Sequence, residues 1–180
     1  MNPSRLVLLD VHSDRIRNAF GPRVTELSAL PLFAETLKDD PPDIIISPDA
    51  GFISKAKEFA KMLKSGTEVA WIEKVRPRPN VVIAKRIHGD VEGGKVLIID
   101  DMIDTGSTIS EAVKLISKDG PTAIRIAATH GIFSRKARER LSGLSIKEIL
   151  VTNTLSQRRY KKIRILSIVP LFLSFLRAGD

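Results

Sequence analysis

The feature that most constrains the fold of this chain is residues 96–109, which read Val-Leu-Ile-Ile-Asp-Asp-Met-Ile-Asp-Thr-Gly-Ser-Thr-Ile. The first four residues are apolar, as in a strand that is buried on both faces, and the carboxylates of Asp100 and Asp101 follow directly. After residues 105–108, apolar residues recur at the spacing of an amphipathic helix. The stretch therefore predicts a buried strand, an acidic pair at its carboxyl end, a turn rich in hydroxyls, and a helix.

The turn between this strand and this helix has two interpretations. In the simpler one, Thr105 or Ser107 caps the helix and has no further role. In the other, the backbone N–H groups, the hydroxyls and the helix N-terminus bind a phosphate. The acidic pair cannot bind phosphate, but it can accept hydrogen bonds from sugar hydroxyls or hold Mg²⁺. We favour the second interpretation, because Asp100, Asp101 and Asp104 are crowded and such carboxylates cost free energy without a counter-charge. A phosphate site beside a sugar site predicts a binder of ribose 5-phosphate.

Apolar runs and stretches of helical periodicity alternate along the whole chain. This alternation is typical of α/β proteins with a mostly parallel sheet flanked by helices, so we predict one such domain over residues 1–180. Sheets of this kind bind ligands beyond the carboxyl ends of their strands, where the acidic pair, His12 and Asp49 are all expected. The expected strands are residues 6–9, 44–46, 69–72, 96–99, 124–128, 149–151 and 163–168, and the expected helices are residues 32–37, 54–63, 107–117, 135–141 and 171–177.

A basic segment that contains prolines lies between two of these strands. Pro77 and Pro79 disfavour both a helix and an inner strand, so residues 74–86 are expected to form an exposed, flexible loop. Lys74 and Arg76 lie on the same side of an extended segment, and both can reach one phosphate chain when the loop closes. The alternative is a plain basic hairpin without a catalytic role.

Composition and charge narrow the classes of function. The sequence has no cysteine, which excludes disulfides and thiolate metal sites and agrees with a cytoplasmic location. We expect no signal peptide and no membrane span, because the most apolar stretch, residues 163–176, is short and contains Arg164 and Pro170. The net charge of +8 suits anionic partners such as nucleotides and sugar phosphates. No nucleic-acid partner is expected, because one Trp and one Tyr form a poor stacking surface.

Several further segments resemble those of one enzyme family. Besides residues 96–109, they are Asp-Val-His-Ser at 10–13, Ser-Pro-Asp-Ala-Gly at 47–51, Lys-Val-Arg-Pro at 74–77, Gly-Asp-Val at 89–91, Ala-Thr-His-Gly-Ile-Phe-Ser at 128–134 and Ile-Leu-Ser-Ile-Val-Pro-Leu at 165–171. In this order they resemble the ribose-phosphate diphosphokinases. Residues 96–109 alone also resemble the phosphoribosyl-diphosphate-binding motif of type I phosphoribosyltransferases. The resemblance spans nearly the whole chain and implies a phosphoribosyltransferase-like fold.

The resemblance also implies a reaction and roles for individual residues. The reaction is the transfer of diphosphate from ATP to ribose 5-phosphate, which gives 5-phosphoribosyl 1-diphosphate and AMP and uses Mg²⁺ as cofactor. Such a transfer needs positioning, the metal ion and cations around the phosphates rather than covalent help from the protein. By this resemblance the catalytic residues are Lys74 and Arg76, the metal ligands are His12 and Asp49, and the ribose-phosphate-binding residues are Asp100, Asp101, Asp104, Thr105, Gly106, Ser107 and Thr108.

Length is the main departure from the family, whose members have two related halves. This chain of 180 residues resembles the second half, and the first half supplies much of the adenine-binding surface. We therefore expect the chain to bind the sugar phosphate but to handle ATP poorly on its own. A homo-oligomer, or a complex with a chain that supplies the first half, would complete the site. Two alternatives stay open, a stand-alone phosphoribosyltransferase that uses 5-phosphoribosyl 1-diphosphate and a non-catalytic sugar-phosphate-binding subunit.

Overall fold

The computed structural model describes residues 5–63, 66–78, 81–158 and 160–178. Strands and helices alternate through most of this part of the chain, as the sequence pattern predicts. In chain order the elements are β1 (Leu6–Leu9), α1 (Asp14–Phe20), β2 (Val24–Leu27), α2 (Leu30–Leu37), β3 (Ile44–Ser47), α3 (Ile53–Met62), β4 (Glu68–Arg78), β5 (Val81–His88), β6 (Lys95–Ile103), α4 (Ser107–Ile116), β7 (Ala123–Gly131), α5 (Ala137–Ser142), β8 (Glu148–Thr152), β9 (Ile163–Leu166) and α6 (Val169–Ala178).

Seven of the strands form one mixed sheet in the order β5-β4-β3-β6-β7-β8-β9. Every neighbouring pair in this sheet is parallel except β4 and β5, which are antiparallel. The strands β1 and β2 form a separate parallel pair. The prediction of a mostly parallel sheet flanked by helices is confirmed. Within the described residues, the helices are too short or too polar to cross a membrane.

The central strand β6 explains why residues 96–99 are all apolar. Alternate side chains of a strand point to opposite faces of the sheet. Val96 and Ile98 pack into a core that includes residues of α4, whereas Leu97 and Ile99 pack into a second core with residues of α2 and α3. A strand covered by helices on both faces has no position that favours a polar side chain until it reaches the edge of the sheet.

Three parts of the chain differ from what the sequence pattern predicts. The helix α1 and the strand β2 were not expected, because each is short and few of its residues are fully buried. Residues 74–78 and 81–86, expected as a loop, lie in the strands of the β4–β5 hairpin. Pro77 is tolerated because the β3–β4 ladder ends at Trp71, so this part of β4 lies beyond its inner neighbour. The flexibility of the segment stays a prediction.

The carboxylate of Asp10 joins the β1–β2 pair to the main sheet. It is 4% exposed. One oxygen, Oδ2, accepts hydrogen bonds from the Ala29 N–H at 2.8 Å and the Thr129 hydroxyl at 2.7 Å. The other, Oδ1, accepts from the Ser28 hydroxyl at 3.1 Å and lies 3.1 Å from the Lys55 ammonium. Because Thr129 lies on β7 and Lys55 on α3, a single carboxylate connects the strand pair, the sheet and a helix.

Replacing Asp10 by Asn is expected to destabilise the fold strongly. Whichever way the new amide is turned, its NH₂ group faces a donor that cannot become an acceptor, either the Ala29 N–H or the Lys55 ammonium. Breaking a buried, charged hydrogen-bond network of this kind costs about 3–5 kcal/mol. Urea unfolding of the variant and of Asp119→Asn, a change of an exposed aspartate, measures the difference. Equal midpoints for the two variants would contradict the role given to Asp10.

Candidate functional site

A pocket of about 240 Å³ lies at the carboxyl ends of β3 and β6. It is lined by His12, Asp49, Lys74 and residues 100–109. The pocket thus brings together all of the site residues that the sequence predicts except Arg76. The backbone of Arg76 lies in β4, and its side chain is outside the described part of the structure. Asp49 and residues 100–109 meet because β3 and β6 are neighbours in the sheet, Lys74 lies in β4 on the other side of β3, and His12 follows β1 of the separate strand pair.

The acidic pair lies within β6, since this strand runs on to Ile103 rather than ending at residue 99. Asp100 pairs with Ala128 of β7, and the Asp101 N–H donates to Asp100 Oδ1 at 2.9 Å. Burial and the neighbouring charge of Asp101 raise the pKa of the Asp100 carboxyl to about 7, and the charge of Asp49 acts in the same direction. The Lys74 ammonium opposes the shift. Asp100 is therefore partly protonated near neutral pH in the chain alone, and a cation bound beside it favours its charged form.

His12 faces the acidic pair from the other side of the pocket. Its Nδ1 lies 2.7 Å from Asp101 Oδ2, although its side chain is 67% exposed. The hydrogen bond to Asp101 and the charge of that carboxylate raise the pKa of His12. In this structure His12 is therefore a hydrogen-bond partner of Asp101, and the carboxylate favours the charged form of the imidazole. Its assignment as a metal ligand stays a prediction.

Asp49 and Lys74 form the wall of the pocket nearest to the hairpin. Asp49 Oδ1 accepts a hydrogen bond from the Gly51 N–H at 3.1 Å, which fixes the turn after β3. Asp49 Oδ2 lies 3.6 Å from the Lys74 ammonium. The Lys74 side chain is only 8% exposed, so its charge is directed into the pocket rather than into bulk solvent. Asp49 as a metal ligand also stays a prediction.

The donor set of the pocket fits a magnesium ion that keeps part of its water shell. The carboxylates of Asp49, Asp100 and Asp101 supply the oxygen ligands that Mg²⁺ prefers. In the part of the chain that the structure describes, no group of three or more His, Asp or Glu side chains is arranged to hold a metal by itself. This is compatible with Mg²⁺, which proteins usually bind through one or two carboxylates together with water and substrate phosphates.

The turn from residue 104 to residue 108 closes the pocket at the N-terminus of α4. The cap position is Gly106, which has φ +70° and no side chain to bond the first turn of the helix. Thr105 Oγ1 lies 3.0 Å from Ser107 Oγ and 3.4 Å from the Ser107 nitrogen, so its bond to the backbone is long. The simpler interpretation of this turn, an ordinary side-chain cap, is therefore poorly supported. The N-terminus of α4 points its positive end toward the pocket.

Arg140 is a contact of this turn that the sequence pattern does not indicate. Its guanidinium donates a hydrogen bond to the Thr105 carbonyl. Leu141, its neighbour on α5, packs against Gly106, where an added Cβ would lie 3.2 Å from Leu141 Cγ. From the sequence alone, the basic residues 135–140 are interpreted as a solvent-exposed face. In the structure α5 packs against the turn, and one of these residues, Arg140, contacts it.

Comparisons with known proteins agree with this geometry. The family model of the phosphoribosyl synthetase-associated domain matches residues 69–178. The ribose-phosphate pyrophosphokinase of Mycobacterium bovis is 41% identical over 182 aligned residues, which cover 97% of this chain and 56% of that protein. The crystal structure of the phosphoribosylpyrophosphate synthetase from Mycobacterium smegmatis superposes with a TM-score of 0.85 at 36% identity and covers 98% of this chain and 58% of that one.

A more distant structure shares the fold alone. The purine phosphoribosyltransferase from Pyrococcus horikoshii has a TM-score of 0.51 at 24% identity, over 76% of this chain and 84% of that chain. These similarities confirm the phosphoribosyltransferase-like fold. The chain spans a little over half the length of the two mycobacterial proteins.

Replacing Asp100 by Asn is expected to stabilise the cation-free chain more at high pH than at low pH. Because the folded-state pKa of about 7 exceeds the ordinary value of 3.8, the carboxyl contributes stability at low pH that is lost as the pH rises through 7. The Asn variant does not lose stability in this way. Its free energy of unfolding, relative to that of the wild type, should therefore increase by about 1–3 kcal/mol between about pH 5 and pH 8.

Urea unfolding in the presence of EDTA, over this range of pH, measures this increase. The matched control is Asp39→Asn, which changes an exposed aspartate outside the pocket. A difference between Asp100→Asn and the wild type that does not depend on pH would contradict the shifted pKa.

Proposed function

Since the chain belongs to the phosphoribosyl synthetase-associated domain family, we propose that it takes part in the transfer of diphosphate from ATP to ribose 5-phosphate. The products are 5-phosphoribosyl 1-diphosphate and AMP. The observation that carries the proposal is the single pocket in which His12, Asp49, Lys74 and residues 100–108 meet. Carboxylates for a sugar, a helix N-terminus for a phosphate and a nearly buried lysine are the groups that this reaction requires.

Ribose 5-phosphate would lie along the turn between β6 and α4. When ionised, the carboxylates of Asp100 and Asp101 can only accept hydrogen bonds. They therefore suit the ribose hydroxyls, which donate hydrogen bonds, and not the phosphate. Asp104, Thr105, Gly106, Ser107 and Thr108 would surround the 5-phosphate with hydroxyls and backbone N–H groups at the positive end of α4. The carboxylates repel the phosphate from one end of the pocket, which favours a single orientation of the sugar.

Lys74 and Arg76 would act on the diphosphate that is transferred. In the reaction the hydroxyl oxygen at carbon 1 of ribose 5-phosphate forms a bond to the β-phosphorus of ATP and gives up its proton to water, and the bond from this phosphorus to the oxygen of the departing AMP breaks. Charge builds up on the phosphate oxygens during this exchange, and a cation fixed in a shielded pocket stabilises it. Mg²⁺, when bound by the carboxylates of the pocket, would neutralise further charge on the phosphates. Asp49, whose Oδ2 lies 3.6 Å from the Lys74 ammonium, would help to keep this cation at the wall of the pocket.

The adenine of ATP would be held by other residues. No Phe, Tyr or Trp lines the described pocket, and its apolar residues, Met102, Ile103 and Ile109, belong to the β6–α4 segment proposed to hold ribose 5-phosphate, whereas a purine site needs apolar or aromatic walls of its own. A second copy of the chain or a different chain would supply such walls, so we propose that the active form is an assembly. A cytoplasmic location remains a prediction from the sequence. The alternative of a stand-alone phosphoribosyltransferase rests on the resemblance of residues 96–109 and on a similarity of fold, and it is not favoured.

Replacing both Asp100 and Asp101 by Ala is expected to weaken the binding of ribose 5-phosphate. Each lost hydrogen bond to a charged group costs about 1.5–3 kcal/mol. Isothermal calorimetry with ribose 5-phosphate measures the loss, and inorganic phosphate serves as the control ligand, because its binding should not weaken when the carboxylates are removed. Thr108→Val should weaken the binding of both ligands, because both carry the phosphate group that Thr108 is proposed to bind. Unchanged affinity of the double variant for ribose 5-phosphate would contradict the sugar site.

Replacing Lys74 by Ala is expected to lower kcat for AMP formation far more than it raises KM, because the cation acts on charge that develops in the transition state. The assay follows AMP produced from ATP and ribose 5-phosphate with Mg²⁺. Lys114→Ala, which removes an exposed lysine of α4, is the matched control. A change in KM alone would make Lys74 a binding residue. Absence of AMP formation by the wild-type chain, alone and with a partner chain, would contradict the proposed reaction.

A further inference from the structure

Three side chains at the base of the β4–β5 hairpin form a cluster that the proposed reaction does not use. The rings of Trp71 and His88 are stacked, with centroids 4.0 Å apart and planes that differ by 4°. His88 Nε2–H donates a hydrogen bond to Glu73 Oε2 at 3.2 Å. Trp71 and His88 are direct partners in the antiparallel ladder. We call Trp71, Glu73 and His88 the Trp71 cluster.

The Trp71 cluster lies where β4 loses the support of its inner neighbour. The last residue of β4 that pairs with β3 is Trp71, opposite Ser47. From Ile72 onward the described ladder of β4 is formed with β5 alone. Just before this point Gly89, which follows β5, lies very close to β4: a Cβ added to Gly89 would lie 2.6 Å from the Ala70 Cβ. The orientation of the next residues of β4 therefore depends on how β5 is held against it.

A bulge in β5 follows directly and coincides with Lys74. Glu73 pairs with Arg86, but Lys74 pairs with Ala84, so one residue of β5 has no partner across the ladder. A bulge changes the direction of the strands and of the side chains beside it. Besides the turn of the hairpin, a cross-strand side-chain pair near the bulge stabilises one register over another. Within the Trp71 cluster, Glu73 lies directly beside this bulge, and the Trp71–His88 pair that contacts it lies two positions earlier in the ladder.

We infer that the Trp71 cluster positions Lys74 in the pocket, an inference that rests on the proposed function for the catalytic importance of this lysine. Successive side chains of a strand point to opposite faces, so Trp71 and Glu73 lie on the face opposite to Ile72 and Lys74. The cluster therefore acts through the backbone, by fixing the register that keeps the Lys74 ammonium 3.6 Å from Asp49 Oδ2. Trp71, Glu73 and His88 are positioning residues, not catalytic ones.

The first test measures the accessibility of Lys74 and needs no catalytic activity. Reductive methylation with formaldehyde and borohydride, followed by mass spectrometry, gives the labelling rate of each lysine in the full chain. In the wild type, Lys74 should react slowly and Lys114, which is 61% exposed, should react fast. His88→Ala should increase the labelling rate at Lys74 several-fold and leave Lys114 unchanged. His88→Phe, which keeps a ring for stacking, should restore most of the protection.

Controls separate a local change of register from loss of the fold. Glu73→Gln tests the hydrogen bond to His88, and its matched control is Glu68→Gln, which changes an exposed glutamate on the same strand. The emission of Trp71, which is the single tryptophan of the chain, reports whether the stack is lost in each variant. An unchanged rate at Lys74 in a folded His88→Ala variant that has lost the stack would overturn the inference. If His88→Ala does not fold, Glu73→Gln replaces it: labelling of Lys74 that is faster than in the Glu68→Gln control supports the inference, and an equal rate overturns it.

The second test asks whether the effect on the reaction passes through Lys74. In a preparation that forms AMP, His88→Ala should lower kcat by about 10- to 100-fold, the range expected for a reacting group displaced by about 1 Å, with little change in KM for ribose 5-phosphate. In the Lys74→Ala background the same change should have no further effect on kcat. Equal effects in both backgrounds would overturn the inference. Faster labelling of Lys74 together with no AMP formation by any form of the chain would support the positioning role and contradict the proposed reaction.

Discussion

The structure depends on one buried charge, the carboxylate of Asp10. This group receives donors from β7, from the turn before α2 and from α3, and it lies at the end of the short strand β1. His130 strengthens the same junction, since its Nε2 lies 3.1 Å from the Leu9 carbonyl oxygen. The β1–β2 pair has only four residues in each strand and could not hold a fixed place by packing alone. Its attachment through Asp10 is what carries His12 to the acidic pair of β6.

The pocket brings several negative charges close together, which costs free energy because they repel one another. The residues around the pocket offset part of this cost. Asp100, Asp101 and Asp49 lie close enough to affect one another, which is why the pKa of Asp100 is raised. His12 lies between β1 and α1, and Lys74 lies in the part of β4 beyond its pairing with β3, and both contact these carboxylates. Asp100 and Asp101 are part of the central strand β6, whereas the side chains that contact the carboxylates come from segments at the side of the sheet. A ligand that brings its own cations can therefore replace these partners without rearranging the sheet.

The sequence predicts those parts of the protein in which the local pattern of apolar and polar residues matches the burial of these residues in the fold. Residues 96–99 and the helix after them are recognisable because burial on both faces leaves a continuous apolar run. Most of the predicted pocket residues meet for the same reason, since strand ends in a parallel sheet share one edge. The β4–β5 hairpin was mistaken for a loop, because Pro77 forbids an inner strand and the sequence does not show where the inner neighbour ends. The contact of Arg140 with Thr105 depends on tertiary packing and leaves no local signal.

The one antiparallel pair among the described strands of the main sheet gives the pocket two kinds of wall, which differ in how far apart in the sequence their contacting residues lie. The parallel strands that bear the carboxylates join only through crossovers, so their contacts connect distant parts of the chain. The hairpin that bears Lys74 closes between Arg78 and Val81, within a short stretch of chain, and pairs with the rest of the sheet along one edge. Ile72 and Ile87 anchor its base in the main core, whereas beyond Ile72 the described ladder of β4 is formed with β5 alone, so we expect the outer part of the hairpin to open at a small fraction of the free energy of global unfolding. Amide hydrogen exchange in that part of β5 should then be faster than in β6, and an exchange of the outer hairpin between related chains would alter the wall that bears Lys74 while leaving the carboxylates of β6 in place.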